Sequence, residues 1–214
     1  MDFDLDPAEV RVLGALIEKE MATPEYYPLT LNALVNACNQ KSNRDPVVAY
    51  DDDTVEGALE RLRARGLAAI ITGAGFRTAK HRELLSESLN LGRRELALLC
   101  ELMIRGEQTV GELHGRCARL HEFTDAEEVE ACLQRLIERD PAPLAAKAPR
   151  RPGTKEPRYA HLLAGPPALE PEAAVEQPRP REDRLTALEA EVAALRSEVA
   201  EIRERFAAFR RQFE

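Results

Sequence analysis

The strongest constraint on the fold of this chain is that part of it is written twice. Laying Thr54–Gly66 over Glu128–Asp140 pairs Val55 with Val129, Glu56 with Glu130, Leu59 with Leu133, Arg61 with Arg135, Leu62 with Leu136 and Arg65 with Arg139. Six identities in thirteen positions, mostly on one helical face, are better explained by duplication than by chance. The segments ahead of each copy follow one plan. Asp6 caps a helix with Pro7 at its first position, Glu9 three residues after the cap, and Val10, Leu13, Ile17 and Met21 on one face. Thr30 caps a second helix carrying Leu31, Leu34, Val35 and Cys38, and Asp51–Asp53 open a third with Val55, Ala58, Leu59 and Leu62 inward, stopping at Gly66. Leu67–Thr72 reads as a strand, Gly73–Gly75 as a turn and Phe76–Thr78 as the return.

The second copy repeats the order. Glu95–Ile104 is its first helix, with Leu96, Leu99, Cys100 and Met103 inward. Thr109 caps a helix bearing Val110, Leu113, Cys117 and Leu120, and Thr124-Asp125 opens one bearing Val129, Cys132, Leu133 and Leu136. Pro143–Lys147 and Arg158–Leu163 are strands flanking a turn at 149–157. Three helices followed by a projecting hairpin is the winged-helix pattern. The expected fold is therefore mainly α with small β-hairpins (α+β): winged-helix domains at 1–88 and 89–165, and a C-terminal coiled-coil helix.

Residues 166–181 hold Pro166, Pro167, Pro171, Pro178 and Pro180, a linker composition. In 182–214, Leu185, Leu188, Val192, Leu195, Val199, Ile202, Phe206, Phe209 and Phe213 alternate spacings of three and four, a coiled-coil seam. In a parallel pair Arg184–Glu189, Glu191–Arg196 and Glu198–Arg203 attract, while Arg205–Arg210 repels. The expected partner of this helix is a second copy of the chain, or another helical protein; antiparallel pairing and docking within the chain stay open.

Function turns on charge. The 214 residues carry 30 Lys+Arg against 38 Asp+Glu, a formal charge of −8, which excludes a broadly basic nucleic-acid or membrane coat. The charge is uneven: −5 over residues 1–90, 0 over 91–165 and −3 over 166–214. Within the neutral stretch, the second hairpin has Lys147, Arg150, Arg151, Lys155 and Arg158 against Glu156 alone. Arginines on a projecting wing suit phosphates or a minor groove, and equally a solvated loop. Lys41 and Arg44 lie among Asn39, Gln40, Ser42 and Asn43, side chains that read base edges or build turns. Against DNA stand Asp51, Asp52, Asp53 and Glu56, and Asp125, Glu127, Glu128 and Glu130, at the starts of the would-be recognition helices. Two functions follow: a regulatory protein contacting double-stranded DNA mainly through the second wing, or a protein-interaction scaffold without DNA binding.

Leu5–Glu20 and Ala33–Val47, with Glu122–Asp125 and the Arg150–Tyr159 wing, resemble the YceH-like family of uncharacterised bacterial proteins. The resemblance spans residues 5–163 and implies a tandem winged-helix fold, with no activity, catalytic residue or cofactor attached.

Catalysis is not expected, and no cofactor motif is present: there is no phosphate loop, GxSxG or dinucleotide fingerprint. His114, Cys117 and His121 have a metal-like helical spacing, but Cys117 shares the stripe of Val110, Leu113 and Leu120 and reads as a core thiol. Cys38, Cys100, Cys117 and Cys132 show no CxxC spacing, and Met1–Pro7 is acidic where a signal peptide is basic. The expected location is cytoplasmic, without a membrane partner.

Overall fold

A computed structural model describes residues 4–73, 78–148 and 156–166. They belong to one compact unit spanning Met1–Ala168. The elements are α1 (Pro7–Ala22), a 3-10 turn (Pro24–Tyr26), α2 (Leu31–Cys38), α3 (Asp52–Ala64), β1 (Ala68–Ile71), β2 (Lys80–Glu83), α4 (Leu85–Ser88), α5 (Arg93–Arg105), β3 (Gln108–Thr109), α6 (Val110–Cys117), α7 (Ala126–Ile137), β4 (Ala145–Lys147) and β5 (Arg158–His161). The described protein is mainly helical, with two small antiparallel sheets.

The caps sit where the sequence puts them. Asp6 and Glu9 form a reciprocal capping box at 2.8 and 2.9 Å, Thr30 accepts from the Ala33 amide, and Asp51 accepts from the Thr54 amide at 2.9 Å. Thr109 and Glu112 repeat the box on α6, and Asp125 caps α7 at 2.8 Å. Each cap satisfies amide donors that a helix start leaves unpaired. Gly66, with φ +72, takes the left-handed conformation that ends α3.

The duplication extends into the sheets. β1 and β2 pair from Ala68–Glu83 to Ile71–Lys80, and Leu29 bridges His81 through both backbone bonds, at 2.7 and 3.1 Å. In the second half the strand order is β3-β5-β4, and β3 stands just ahead of α6 as Leu29 stands ahead of α2. Each hairpin thus gains a third chain from the segment that caps the second helix. Neither β3 nor α4 is foreseen from the sequence.

The first return strand is a correction. It falls on Lys80–Glu83 and not on Phe76–Thr78; Phe76 and Arg77 lie outside the described residues, as do Ala74 and Gly75 of the expected turn. The four residues Lys-His-Arg-Glu show no apolar alternation, because the inward positions are His81 and Glu83. Glu83 is held by the Ser86 amide at 3.0 Å, and its own amide donates to Tyr27 Oη at 2.6 Å. Half-buried Glu20 lies close by. Burial, then the Glu83 carboxylate, pushes its carboxyl up to about 7. A folded-state value above the ordinary 4.5 means its contribution is fully present at low pH and lost as pH rises through 7. Glu20→Gln is therefore expected to be more stable than the parent above pH 7, on the order of 1 kcal/mol after allowing for screening by solvent. Urea melts at pH 5 and 8 check this, and the gain should vanish at pH 5.

The two halves share a core. α1 is buried on more than its expected face: Val12, Ala15 and Leu16 are as inaccessible as Leu13 and Ile17, because α5 covers the second side. Contact is closest at Gly14, where an added Cβ would stand 2.7 Å from Ile104 Cγ2 and 3.2 Å from Met103 Cβ. Cys100 Sγ donates to the Gly14 carbonyl at 3.4 Å across the same contact. All four cysteines are buried and unpaired; burial pushes the Cys38 thiol up to about 12, so these are core groups. The expected boundary at residues 88 and 89 falls between α4 and α5. The linker at 166–181 beyond Pro166 and the seam from Leu185 to Phe213 lie outside the described residues.

Candidate nucleic-acid interface

The second hairpin sets the candidate interface. β4 and β5 pair Lys147 with Tyr159, so the strands approach the 149–155 segment side by side. Lys147 is exposed, its Nζ 5.8 Å from the Tyr159 ring centroid. Arg158 donates twice to the Glu107 carbonyl, at 2.8 and 3.2 Å, and once to Glu112 Oε2 at 2.8 Å. Arg150, Arg151 and Lys155 lie outside the described residues. What is described is the stem from which they leave.

The basic surface continues onto α6 through a residue that the sequence reading missed. Arg116 donates to Gln108 Oε1 at 2.8 Å and approaches Glu112 Oε1 at 3.4 Å. Gln108, fully buried, is anchored by its Nε2 on the Glu101 carbonyl at 2.8 Å. Arg116 and Arg158 therefore flank one carboxylate, that of Glu112, beside the stem. The available signal was the Glu112–Arg116 spacing of four on a helix.

Arg44 does not belong to this interface. Its guanidinium is inaccessible, bonded to both oxygens of Glu18 at 2.5 and 3.1 Å and to the Ala37 carbonyl at 2.8 and 3.2 Å. A group surrounded in this way has no donor left for a phosphate, so its expected role is corrected to a structural one. Arg119, just past α6, also reaches Glu18 at 2.5 Å and Glu101 at 3.2 Å, while Arg105 pairs with Glu101 at 2.9 Å and bonds Asn43 Oδ1. Glu18 and Glu101 are both fully buried. Burial pushes the Glu18 carboxyl up, but the Arg44 hydrogen bond and charge, with Arg119 and Lys19, overcome this and hold it at about 2. Glu101 is shifted upward, because burial there outweighs Arg119 and Arg105 and the Glu18 charge adds to it. The Asn39–Val47 segment thus ties the first half to α5, through Asn43 and Arg105 and through a backbone bond from Asp45 to the Ile104 carbonyl at 3.0 Å. Lys41 remains exposed in it.

The outward faces of the third helices are acidic. Asp52, Asp53, Glu56 and Glu60 are exposed on α3, as are Glu127 and Glu130 on α7. The basic residues of the duplicated motif are turned aside to α1 and α5: Arg61 and Arg65 approach Glu9 at 3.8 and 3.2 Å, and Arg135 approaches Glu95 at 3.9 Å. This repeated pair is a structural trace of the duplication. Arg61 and Arg63 are both exposed on α3, and Arg61 is the one drawn to Asp6 and Glu9.

The His114–Cys117–His121 spacing does not gather ligands. Cys117 Sγ is buried and donates to the Ala97 carbonyl, His114 Nε2 meets the Phe123 carbonyl at 3.3 Å, and His121 stands edge-on to the Phe123 ring. Among the described residues there is no His/Cys/Asp/Glu group suited to a metal ion, and no helix long and apolar enough to cross a membrane.

The fold and this surface define a mainly helical, internally duplicated protein with two small antiparallel sheets. The chain belongs to the family described as "Protein of unknown function, DUF480", whose model matches residues 5–154. It is 55% identical over 195 residues to a UPF0502 protein of Solibacter usitatus, covering 90% of this chain and 93% of that one. A UPF0502 protein of Citrifermentans bemidjiense is 56% identical over 174 residues, with 81% and 80% covered, and one of Geobacter sulfurreducens 51% over 199, with 90% of each. These matches agree with the YceH-like resemblance.

Proposed function

We propose that the protein acts by binding rather than catalysis, as a DNA-associated regulatory protein that meets DNA through the hairpin of its second half. In this reading each half is a winged helix, with α2–α3 and α6–α7 as the helix-turn-helix pairs and the hairpins as wings. The supporting observation is the stem: Lys147 on β4 stands opposite Tyr159, and Arg158 on β5 shares Glu112 with Arg116 of α6, where the Arg150, Arg151 and Lys155 segment departs. Phosphate contact from a wing needs no base reading by the third helices, whose exposed carboxylates disfavour it. The heptad tail, residues 182–214, pairs two copies and presents two wings to one duplex.

Titrating the full chain onto a fluorescent duplex by anisotropy at about 50 mM and 200 mM salt tests this. Binding through several phosphates weakens by an order of magnitude or more across that range. No binding at the lower salt overturns the proposal.

A second reading is favoured by the acidic faces of α3 and α7, which a protein scaffold accommodates without a basic surface.

A further inference from the structure

Between α2 and α3 the chain is held at both ends and bare in the middle. Buried Arg11 grips the front end, its Nη2 donating to the Pro46 carbonyl at 2.7 Å and its Nη1 to the Cys38 carbonyl at 3.3 Å. Asn39, at the end of α2, grips the other. Its side-chain amide donates to the Tyr50 carbonyl at 2.7 Å and its Oδ1 accepts from the Tyr50 amide at 2.8 Å, as a neighbouring strand would. Among the described residues no hydrogen bond reaches the backbone of Val47, Val48 or Ala49. Exposure alternates: Val47 and Ala49 face solvent, whereas Val48 and Tyr50 are half-buried, the period of an extended chain. Val47 is 56% exposed, one of three large apolar side chains so placed among the described residues. In an extended chain Asn39, paired with residue 50, occupies the edge to which residue 48 points, and residues 47 and 49 offer their N–H and C=O groups to the other.

We propose that residues 46–50 are a docking edge for an extended segment of a partner protein. The partner is apolar where it pairs with Val47 and Ala49 and basic where it passes Asp52 and Asp53. The charge follows from what comes next: both aspartates are exposed and unpaired among the described residues, directly after the edge. Backbone pairing supplies affinity and the apolar side chains supply register, the physics of strand addition. Unpaired edges are ordinarily blunted by charge or covered, and this one is neither at Val47–Ala49. The clamps explain why a buried guanidinium and an amide are spent on a loop. This interaction goes beyond the wing contact and does not depend on it.

The test is selection of a phage-displayed random dodecapeptide library on the immobilised full chain, followed by titration of the enriched peptide. Enrichment of alternating apolar residues ending in Lys or Arg is expected. Val47→Lys/Ala49→Lys, both on exposed side chains, should weaken the peptide at least tenfold with the thermal midpoint unchanged. Asp52→Asn/Asp53→Asn should weaken it several-fold and flatten its salt dependence. A library that enriches nothing, or an enriched peptide that is acidic or binds the double-lysine variant equally, overturns the proposal. Arg150→Ala/Arg151→Ala should leave peptide binding unchanged, so a failed wing contact and a failed docking edge are told apart.

Discussion

Glu18→Ala is expected to cost about 3–5 kcal/mol, the usual penalty for removing one partner of a buried ion pair. The reason lies in what stays behind. Arg44 keeps its inaccessible guanidinium between the Ala37 carbonyl and an empty carboxylate position. Arg119 loses one of its two carboxylates at the same time. At roughly 2–4 °C per kcal/mol for a chain of this size, the midpoint should fall by on the order of 10 °C. Replacing both partners, as in Glu18→Leu/Arg44→Met, should recover much of the loss, since apolar residues of similar volume often match a buried pair. A double variant as unstable as Glu18→Ala would show that the pair itself is not the source. The pH dependence has a definite sign. With the folded Glu18 carboxyl at about 2 and an ordinary value of 4.5, its contribution is complete above 4.5 and drains away as pH falls through 2. Glu18→Gln should therefore lose the parent's stability difference between pH 5 and pH 2, measurable by urea melts at each.

The second large effect is expected at Gly14. In an exposed helix, Gly→Ala gains about 1 kcal/mol of propensity. Here the Cβ would stand 2.7 Å from Ile104 Cγ2 and 3.2 Å from Met103 Cβ, so α1 and α5 must separate. Overpacking of this kind costs about 1–3 kcal/mol, which outweighs the propensity for Ala and grows for Val. Gly14→Val should thus lower the melting midpoint more than Gly14→Ala, and both should lie below the parent. Gly14→Ala/Ile104→Ala should be more stable than the sum of its single variants, because losing Ile104 Cγ2 removes the clash of the new Cβ, which in turn fills part of the space left. Strict additivity would mean that the helices yield elsewhere.

Much of the fold was legible because it is local. Caps at Asp6, Thr30, Asp51, Thr109 and Asp125 follow from residue type and spacing, and the apolar stripes follow from helical period. The duplication was legible in thirteen residues and is repeated in the Arg61–Glu9 and Arg135–Glu95 approaches. What escaped the sequence depends on distant partners. Nothing beside Arg44 in the chain marks it as buried; Glu18, twenty-six residues earlier, does that. Arg44 is therefore not the nucleic-acid contact expected beside Lys41, and the turn-building role of its neighbours is seen in the Asn39 side chain and the left-handed backbone of Asn43. β2 escaped because its inward residues are His81 and Glu83, paired to Leu29 and Ser86 rather than packed as apolar groups. The stem of the second hairpin was half legible: Lys147 and Arg158 were read from charge, and Arg116 joins Arg158 only through Glu112.

Contact with DNA through the second wing, rather than through the third helices, is tested most directly by the salt slope of duplex binding in two variants. Arg150→Ala/Arg151→Ala removes wing charge, and Arg63→Ala removes an exposed arginine of α3. Each lost phosphate contact lowers the slope of log Kobs against log salt by about 0.9. The expected result is a slope smaller by roughly one to two in the wing variant and unchanged in Arg63→Ala. A slope unchanged in the wing variant and reduced in Arg63→Ala would contradict the account, placing the helices and not the wing on the duplex.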